Sequence, residues 1–526
     1  MKRARHKQKR ALLALVVLAF SLALSYSVGV WARPAGGHSY SGSSTHVSSS
    51  SSRPAGGHSY SGGSTRSSGG RSSSGGGDGD ASGLIFQLLL VCIQYPALGV
   101  PLLIIVVVFF IAKAAVGAGQ KGWSTSTPEA VQAVPRVERS PRVGRGELEA
   151  IATLDPGFSL VLFEDFAYML YAAVQRARAT GSQALASYLA PNLALTLTDP
   201  RLSDVQGVVI GAMRYVRFSG TEGPMLELEL ELESNYVEVL RAGGKRRFYA
   251  VDRMRLTRAV TARSRPLNRA HTLDCPNCGA PLEAVRGTEC SYCRQNVGFG
   301  RFDWMIAELS NLTREARGPL LTSDVAEAGT ELPTIVGFGA PHRLEELMRK
   351  DPACSWQALQ GRVALIFGEL QVAWSGRDPA RIRPFVSDNL FQSMYYWIDL
   401  YTQERCRNVT ENATLLRVDL ANVVSDAHFD AITLRVFASS IDYTISDEGK
   451  LLSGNRKRPR TYSEYWTVIR GSARRGEPRR DSTCPNCGAP LRIGMTGQCE
   501  YCRVKVTNGD FDWVLSRIEQ DESYGD

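Results

Sequence analysis

Eight of the eleven cysteines fall into two sets with one spacing. The first set reads Cys275-Pro-Asn-Cys278-Gly-Ala-Pro-Leu and then Cys290-Ser-Tyr-Cys293. The second reads Cys484-Pro-Asn-Cys487-Gly-Ala-Pro-Leu and then Cys499-Glu-Tyr-Cys502. Both follow C-x2-C-x11-C-x2-C, and both are followed by Phe-Asp-Trp, at Phe302 to Trp304 and Phe511 to Trp513. Each set offers four thiolates, the ligand set of a closed tetrahedral zinc ribbon with no open coordination position. Two structural Zn2+ sites are therefore expected, each a staple for a loop with almost no core of its own. Iron at four sulfurs is the alternative metal, and disulfides are the alternative to a metal. A C-x2-C pair followed by glycine forms a tight knuckle that strains a direct S–S bond. The topology argued below also places both sets in a reducing compartment.

The rest of the chain is poor in catalytic constellations. The body has three histidines, His271, His342 and His428, none beside a nucleophile motif. His271, shortly before Cys275, reads as an exposed loop residue. Cys354 and Cys406 read as buried, inert thiols. Glu164-Asp165 and Glu345-Glu346 are adjacent in sequence and read as solvated surface, since neighbours on a helix point to different sectors. Basic clusters stand at Lys245-Arg246-Arg247, at Arg253, Arg255 and Arg258, at Arg456-Lys457-Arg458 and Arg460, and at Arg474-Arg475 and Arg479-Arg480. They suit either charged hairpin loops or contact with anionic lipid. The net charge of +9 fits both. Gly117-x-Gly119-x-x-Gly122 imitates a dinucleotide fingerprint, but no strand precedes it and no helix follows, so it is discarded.

The N-terminal part predicts a membrane anchor. A basic Met1 to Arg10 precedes an uncharged stretch to residue 32, which reads as a signal peptide or first anchor. Residues 33–83 form a Gly/Ser-rich tether in which Arg-Pro-Ala-Gly-Gly-His-Ser-Tyr-Ser-Gly occurs twice, carrying His38 and His58. Residues 84–112 are long and apolar enough for a transmembrane helix. Lys113, Lys121, Arg136, Arg139, Arg142 and Arg145 follow that span, whereas Asp78 and Asp80 precede it. The positive-inside rule then puts the body on the cytoplasmic side of that membrane.

After a linker at 113–148, the body reads as a duplicated unit: residues 149–310 with a ribbon at 275–293, a linker at 311–345, and residues 346–520 with a ribbon at 484–502. Asp155-Pro156 and Asp351-Pro352 open the two units. A helical stripe of period 3.6 follows in each, through Phe163, Phe166, Leu170, Ala173, Val174 and Ala177 in one. In the other it runs through Trp356, Leu359, Val363, Ile366, Phe367, Leu370, Ala373 and Trp374. Asp378-Pro379 starts a second helix carrying Ile382, Phe385 and Val386. Its analogue carries Leu185, Tyr188 and Leu189. Period 2 then takes over. Met225 to Val239 alternates leucine with Glu227, Glu229, Glu231 and Glu233, a strand with an acidic outer face. Ala431 to Phe437 and Tyr462 to Arg470 are also strand-like. The fold class is α+β, with helices on one face of an antiparallel sheet and a ribbon interrupting the last connection.

The second unit resembles the Tim44-like domain family, within the nuclear-transport-factor-two-like superfamily. The residues that carry the likeness are Asp351-Pro352, Gln371-Val-Ala373-Trp374, Arg383-Pro384-Phe385-Val-Ser387-Asp388 and Glu464-Tyr-Trp466-Thr-Val-Ile-Arg470. The resemblance implies a cone-shaped domain whose curved sheet wraps a hydrophobic pocket, here drawing on Trp374, Trp397, Phe437 and Trp466. In the first unit Arg178 stands where Trp374 does, and Arg253-Met-Arg-Leu-Thr-Arg258 replaces the Glu-x-Trp pattern. Two tandem cone-shaped domains with a non-equivalent first pocket are the expectation. The overall plan is similar to bacterial members of the family. It implies a membrane-tethered, non-enzymatic scaffold that binds a protein partner in translocation or membrane-protein assembly at a bacterial inner membrane, with the body cytoplasmic. A nucleic-acid-binding ribbon protein is the first alternative. Glu283 to Glu289 carries one arginine against two glutamates, which is weak for phosphate contact, so nucleic acid is not expected. A small-molecule or lipid-binding cone with enzyme activity is the second, since the superfamily includes isomerases and hydratases.

Overall fold

The computed structural model describes residues 145–316, 329–479, 483–521 and 524–525. All of these belong to one compact unit. The predicted spans, tether and first linker fall outside the described residues. Among the described residues no helix is long and apolar enough to cross a membrane.

The first half opens with α1 (Glu149–Leu154) and the long α2 (Leu160–Thr180), and α3 (Pro191–Thr196) follows. Three long strands come next: β1 (Leu202–Ser219), β2 (Met225–Leu240) and β3 (Lys245–Ala259). The first ribbon contains the small hairpin β4 (Val285–Arg286) and β5 (Glu289–Cys290), and β6 (Met305–Glu315) closes the half, past the boundary expected at 310. The sheet order is β1-β2-β3-β6, with each neighbouring pair antiparallel.

The second half runs α4 (Ala340–Lys350), α5 (Trp356–Gly376), α6 (Pro379–Ile382) and α7 (Asp388–Gln403). Its strands are β7 (Cys406–Ser425), β8 (Phe429–Ser446), β9 (Leu451–Gly454), β10 (Arg460–Gly471) and β11 (Val514–Gln520), in the order β11-β10-β8-β7 with β9 on β8. The chain is thus mixed helix and antiparallel sheet, with each ribbon set between the last two strands of its half.

Small details recur between the halves. The Ser159 and Ser355 hydroxyls cap α2 and α5, accepting from Leu162 N and Ala358 N. A capping hydroxyl satisfies one of the donors a helix start leaves unpaired. Asp155 pairs with Arg258 at 3.0 Å and Asp351 with Arg470 at 2.8 Å, all four nearly or fully buried. The Trp304 ring lies under Arg258 at 5.0 Å and the Trp513 ring under Arg470 at 4.6 Å. The closing strands bridge the segment before the next helix alike, Leu189 to Ile306 and Val386 to Leu515.

Two expectations are corrected here. The helix begun at Asp378 ends after a single turn, and a separate α7 starts at Ser387, whose hydroxyl accepts from Leu390 N. Arg383-Pro384 causes the break, because proline ends the regular bonding pattern and Ser387 restarts it. The acidic outer face of β2 holds only at its start: Glu227 and Glu229 are partly exposed, but Glu231 and Glu233 are buried. Glu231 faces Arg214 at 3.4 Å and Arg253 at 3.5 Å, and Glu233 pairs with Arg214 and accepts from the Tyr249 hydroxyl.

The halves meet through an apolar patch. Val161, Leu162 and Ala270 of the first pack with Phe429, Ile469 and Val514 of the second. α7 lies against β1, with the Tyr396 ring so near Gly207 that a Cβ there would stand 3.4 Å from it. Arg247 pairs with Glu404 at 3.2 Å beside this contact.

Candidate metal centres

In each ribbon the four cysteine sulfurs lie within 4.8 Å of one another. Cys275 and Cys293 are 3.9 Å apart and Cys278 and Cys290 3.7 Å; the second ribbon gives 3.8 Å for Cys484–Cys502 and 4.0 Å for Cys487–Cys499. A disulfide needs about 2.05 Å. Four sulfurs at tetrahedral corners, each about 2.3 Å from a zinc ion, stand about 3.8 Å from one another. The spacing is therefore that of a metal-ligand tetrahedron, and both quartets could hold a metal ion.

The backbone builds each quartet from two knuckles. Cys275 N donates to Ala280 O and Gly279 N to Cys275 O, and Cys484 N donates to Ala489 O and Gly488 N to Cys484 O. The turn needs a positive φ at Gly279 (81°) and Gly488 (71°), which only glycine adopts without strain. The second knuckles repeat the pattern, Cys290 N to Gln295 O and Cys499 N to Val504 O.

The asparagine inside Cys-Pro-Asn-Cys has a chemical role. Its side chain bonds the last sulfur of the quartet. The Asn486 side chain, followed by the Val504 N–H, brings the Cys502 thiol down to about 6. Burial alone would raise the Cys293 thiol, but the Asn277 side chain and the Gln295 N–H overcome it and bring it to about 7. Burial pushes Cys275 the other way, to about 12. One thiolate in each quartet is thus favoured near neutral pH, and cation binding is what deprotonates the rest.

Each ribbon is tied to the body by arginine. Arg269 donates to Cys275 O at 2.9 Å, and Arg265 pairs with both Asp274 (3.1 Å) and Asp303 of Phe-Asp-Trp (2.5 Å). Arg383, almost fully buried, donates to Met495 O in the second ribbon at 2.9 Å and to Val386 O at 3.1 Å, and it pairs with Asp388. Lys505 of the ribbon pairs with the same Asp388.

The pocket expected in the second half is filled. Trp374, Trp397, Phe437 and Trp466 are all buried. Trp374 Nε1 donates to Asn408 at 2.8 Å and its ring meets Tyr401 edge-on, while Trp466 donates to Glu464 and packs on Phe367. Phe437 does not join them. Strand register sets it opposite Ser463, so it occupies the other sheet face from Trp466. There Arg417 and Arg435 cover it at 4.0 and 4.7 Å.

The remaining candidates divide. Cys354 and Cys406 are fully buried, and burial pushes the Cys406 thiol up to about 12. His342 is mostly exposed and 3.5 Å from Glu346. Glu164-Asp165 is not solvated surface: Glu164 is buried and accepts from the Tyr215 hydroxyl at 2.6 Å, and Asp165 accepts from Asn389 Nδ2. Arg253, Arg255 and Arg258 are strand residues facing carboxylates, whereas Arg456, Lys457 and Arg458 are exposed. The carboxylate partners of Arg258 and Arg470 were visible in sequence only as the first letters of each unit. The matched Asp-Pro openings were the one available signal.

No curated protein matches the chain. The profile of the Tim44-like domain matches residues 342–479, from within α4 through β10, ending just before the second ribbon. The second half of this chain carries a Tim44-like domain.

Proposed function

We propose that the protein is a membrane-tethered binding scaffold, acting in protein translocation or membrane-protein assembly. Its two halves would be tandem copies of one Tim44-like unit, and both quartets would hold zinc. The observation that carries this reading is the Tim44-like match at 342–479, a family tied to membranes and translocation. The chemistry of the chain supports it. Eight sulfurs in closed quartets leave a bound cation no position for a substrate, and Trp374, Trp397, Phe437 and Trp466 are spent on packing. In this reading zinc fixes each ribbon and takes no part in a reaction. In the same reading the span at 84–112 holds the body at the cytoplasmic face of an inner membrane.

The test is photo-crosslinking in native membranes. A photoreactive residue replaces Phe338, which is fully exposed, or Tyr292, which is 74% exposed at a ribbon tip. Crosslinks to translocase subunits or emerging membrane proteins are expected. Crosslinks to lipid alone, or to nucleic acid, would overturn the scaffold reading.

A further inference from the structure

The junction between the halves is lined by titratable groups that the scaffold reading does not use. Asp165 of α2 accepts from Asn389 Nδ2, at the start of α7. Next to Asn389 is Asp388, a second carboxylate from the opposite half. Asp388 has its own cations, Arg383 and Lys505, and it also accepts from the Thr507 hydroxyl at 3.3 Å. Among the described residues Asp165 makes no ion pair with a lysine or arginine, and Lys505 acts on it only through space. His271 of the first half stands beside it, with Nδ1 3.6 Å from Oδ2. One residue away, Glu164 pairs with Arg517 of β11. Docking therefore sets Asp165 of one half within the field of Asp388 of the other, with the His271 ring beside it.

We infer that Asp165 is a proton-operated latch: the halves dock tightly when its carboxyl is neutral and loosen when it ionises against Asp388. The neutral acid keeps its hydrogen bond to Asn389 and faces Asp388 without repulsion. The anion faces a like charge in a partly desolvated site. Burial first, and then the Asp388 charge, raise the Asp165 carboxyl to about 7, against the pull of Asn389 and Lys505. Its side chain keeps 22% of its exposure, so solvent dilutes the effect.

The sign follows from linkage. An acid raised in the docked state binds protons more tightly there, so docking strengthens as pH falls through about 7 toward the ordinary carboxylate range. Asp388, held low by Lys505 and Arg383 although burial opposes them, stays ionised throughout. His271 is lowered by burial and by Lys505, so its protonation opposes docking at the acidic end. The latch is thus closed most firmly in mildly acidic solution and weakest above about pH 8.

Hydrogen–deuterium exchange on the full-length protein tests this, following α2 and the first turn of α7 at pH 6 and pH 8 after correction for intrinsic rates. Opening of the junction should be about three- to tenfold more frequent at pH 8. Asp165→Asn should keep the junction protected at both values and abolish the difference. Equal protection of wild type at both pH values would overturn the latch. So would a pH dependence that survives Asp165→Asn but disappears in His271→Gln, since the histidine would then carry it.

Discussion

Arg258 and Arg470 hold matching positions, each a buried cation tied to the aspartate that opens its half and stacked on the tryptophan of Phe-Asp-Trp. Removing one member strands the other charge out of water. Arg470→Ala should cost about 3–5 kcal/mol in urea unfolding. Replacing both members, as Asp351→Leu with Arg470→Met, should recover much of that loss, because no orphaned charge remains. A double variant as unstable as the single one would show that packing, not charge pairing, sets the cost. The quartets make a second prediction at this scale. Asn486→Ala removes the side chain that lowers the Cys502 thiol to about 6. A depressed thiol contributes to metal retention above its own value and loses that contribution as pH falls through it. Without Asn486 the loss moves to higher pH, and affinity near neutrality falls roughly 10–100-fold. Competition with a colorimetric chelator across pH 5.5–8 measures both effects. Unchanged affinity would make the asparagine a turn former only.

At the scale of elements, the second ribbon is joined to the helices it follows in space rather than in sequence. Arg383 donates to Met495 O, and Lys505 and Thr507 both reach Asp388 at the start of α7. A chelator that strips the metal should therefore deprotect residues 383–391 in hydrogen exchange, while β8 and β10 stay protected by their own ladder. Loss of protection throughout the second half would instead make the ribbon part of the global fold. Much of this architecture was legible in the chain. The stripes in α2 and α5 gave both long helices, because a face of period 3.6 needs no knowledge of its partner. The cysteine spacing gave both quartets in the same way. α7 was not read, although Phe391, Met394, Trp397, Ile398 and Tyr401 line its buried side, since the Asp378-Pro379 cap drew the helix across Arg383-Pro384. The alternation in β2 predicted a strand correctly and its acidic outer face only for Glu227 and Glu229. Whether Glu231 meets water or Arg214 depends on strands that only the fold brings alongside. Phe437 failed as a pocket residue for the same reason: cross-strand register sets its face.

For the whole molecule, the question is whether the halves stand or fall together. Their shared apolar patch is small, six buried side chains around Val161 and Ile469, and contacts of this kind between domains are marginal by default. Polar ties at the rim add to it: Arg247 with Glu404, Asn389 with Asp165, and Arg517 with Glu164. Tyr396 fills the space over Gly207, where the backbone of β1 runs closest to α7. Truncating it together with the Glu404 partner removes packing and charge on one side of the junction and leaves both cores intact. Wild type should then unfold in urea as one cooperative step, with exchange protection of α2 and α5 lost at the same midpoint. The Tyr396→Ala, Glu404→Ala variant should unfold in two steps, because each half retains its own helix, sheet and buried Asp–Arg pair. A single step that merely shifts to lower urea would mean that the halves share one core, and the junction would then be an interior surface and not a hinge.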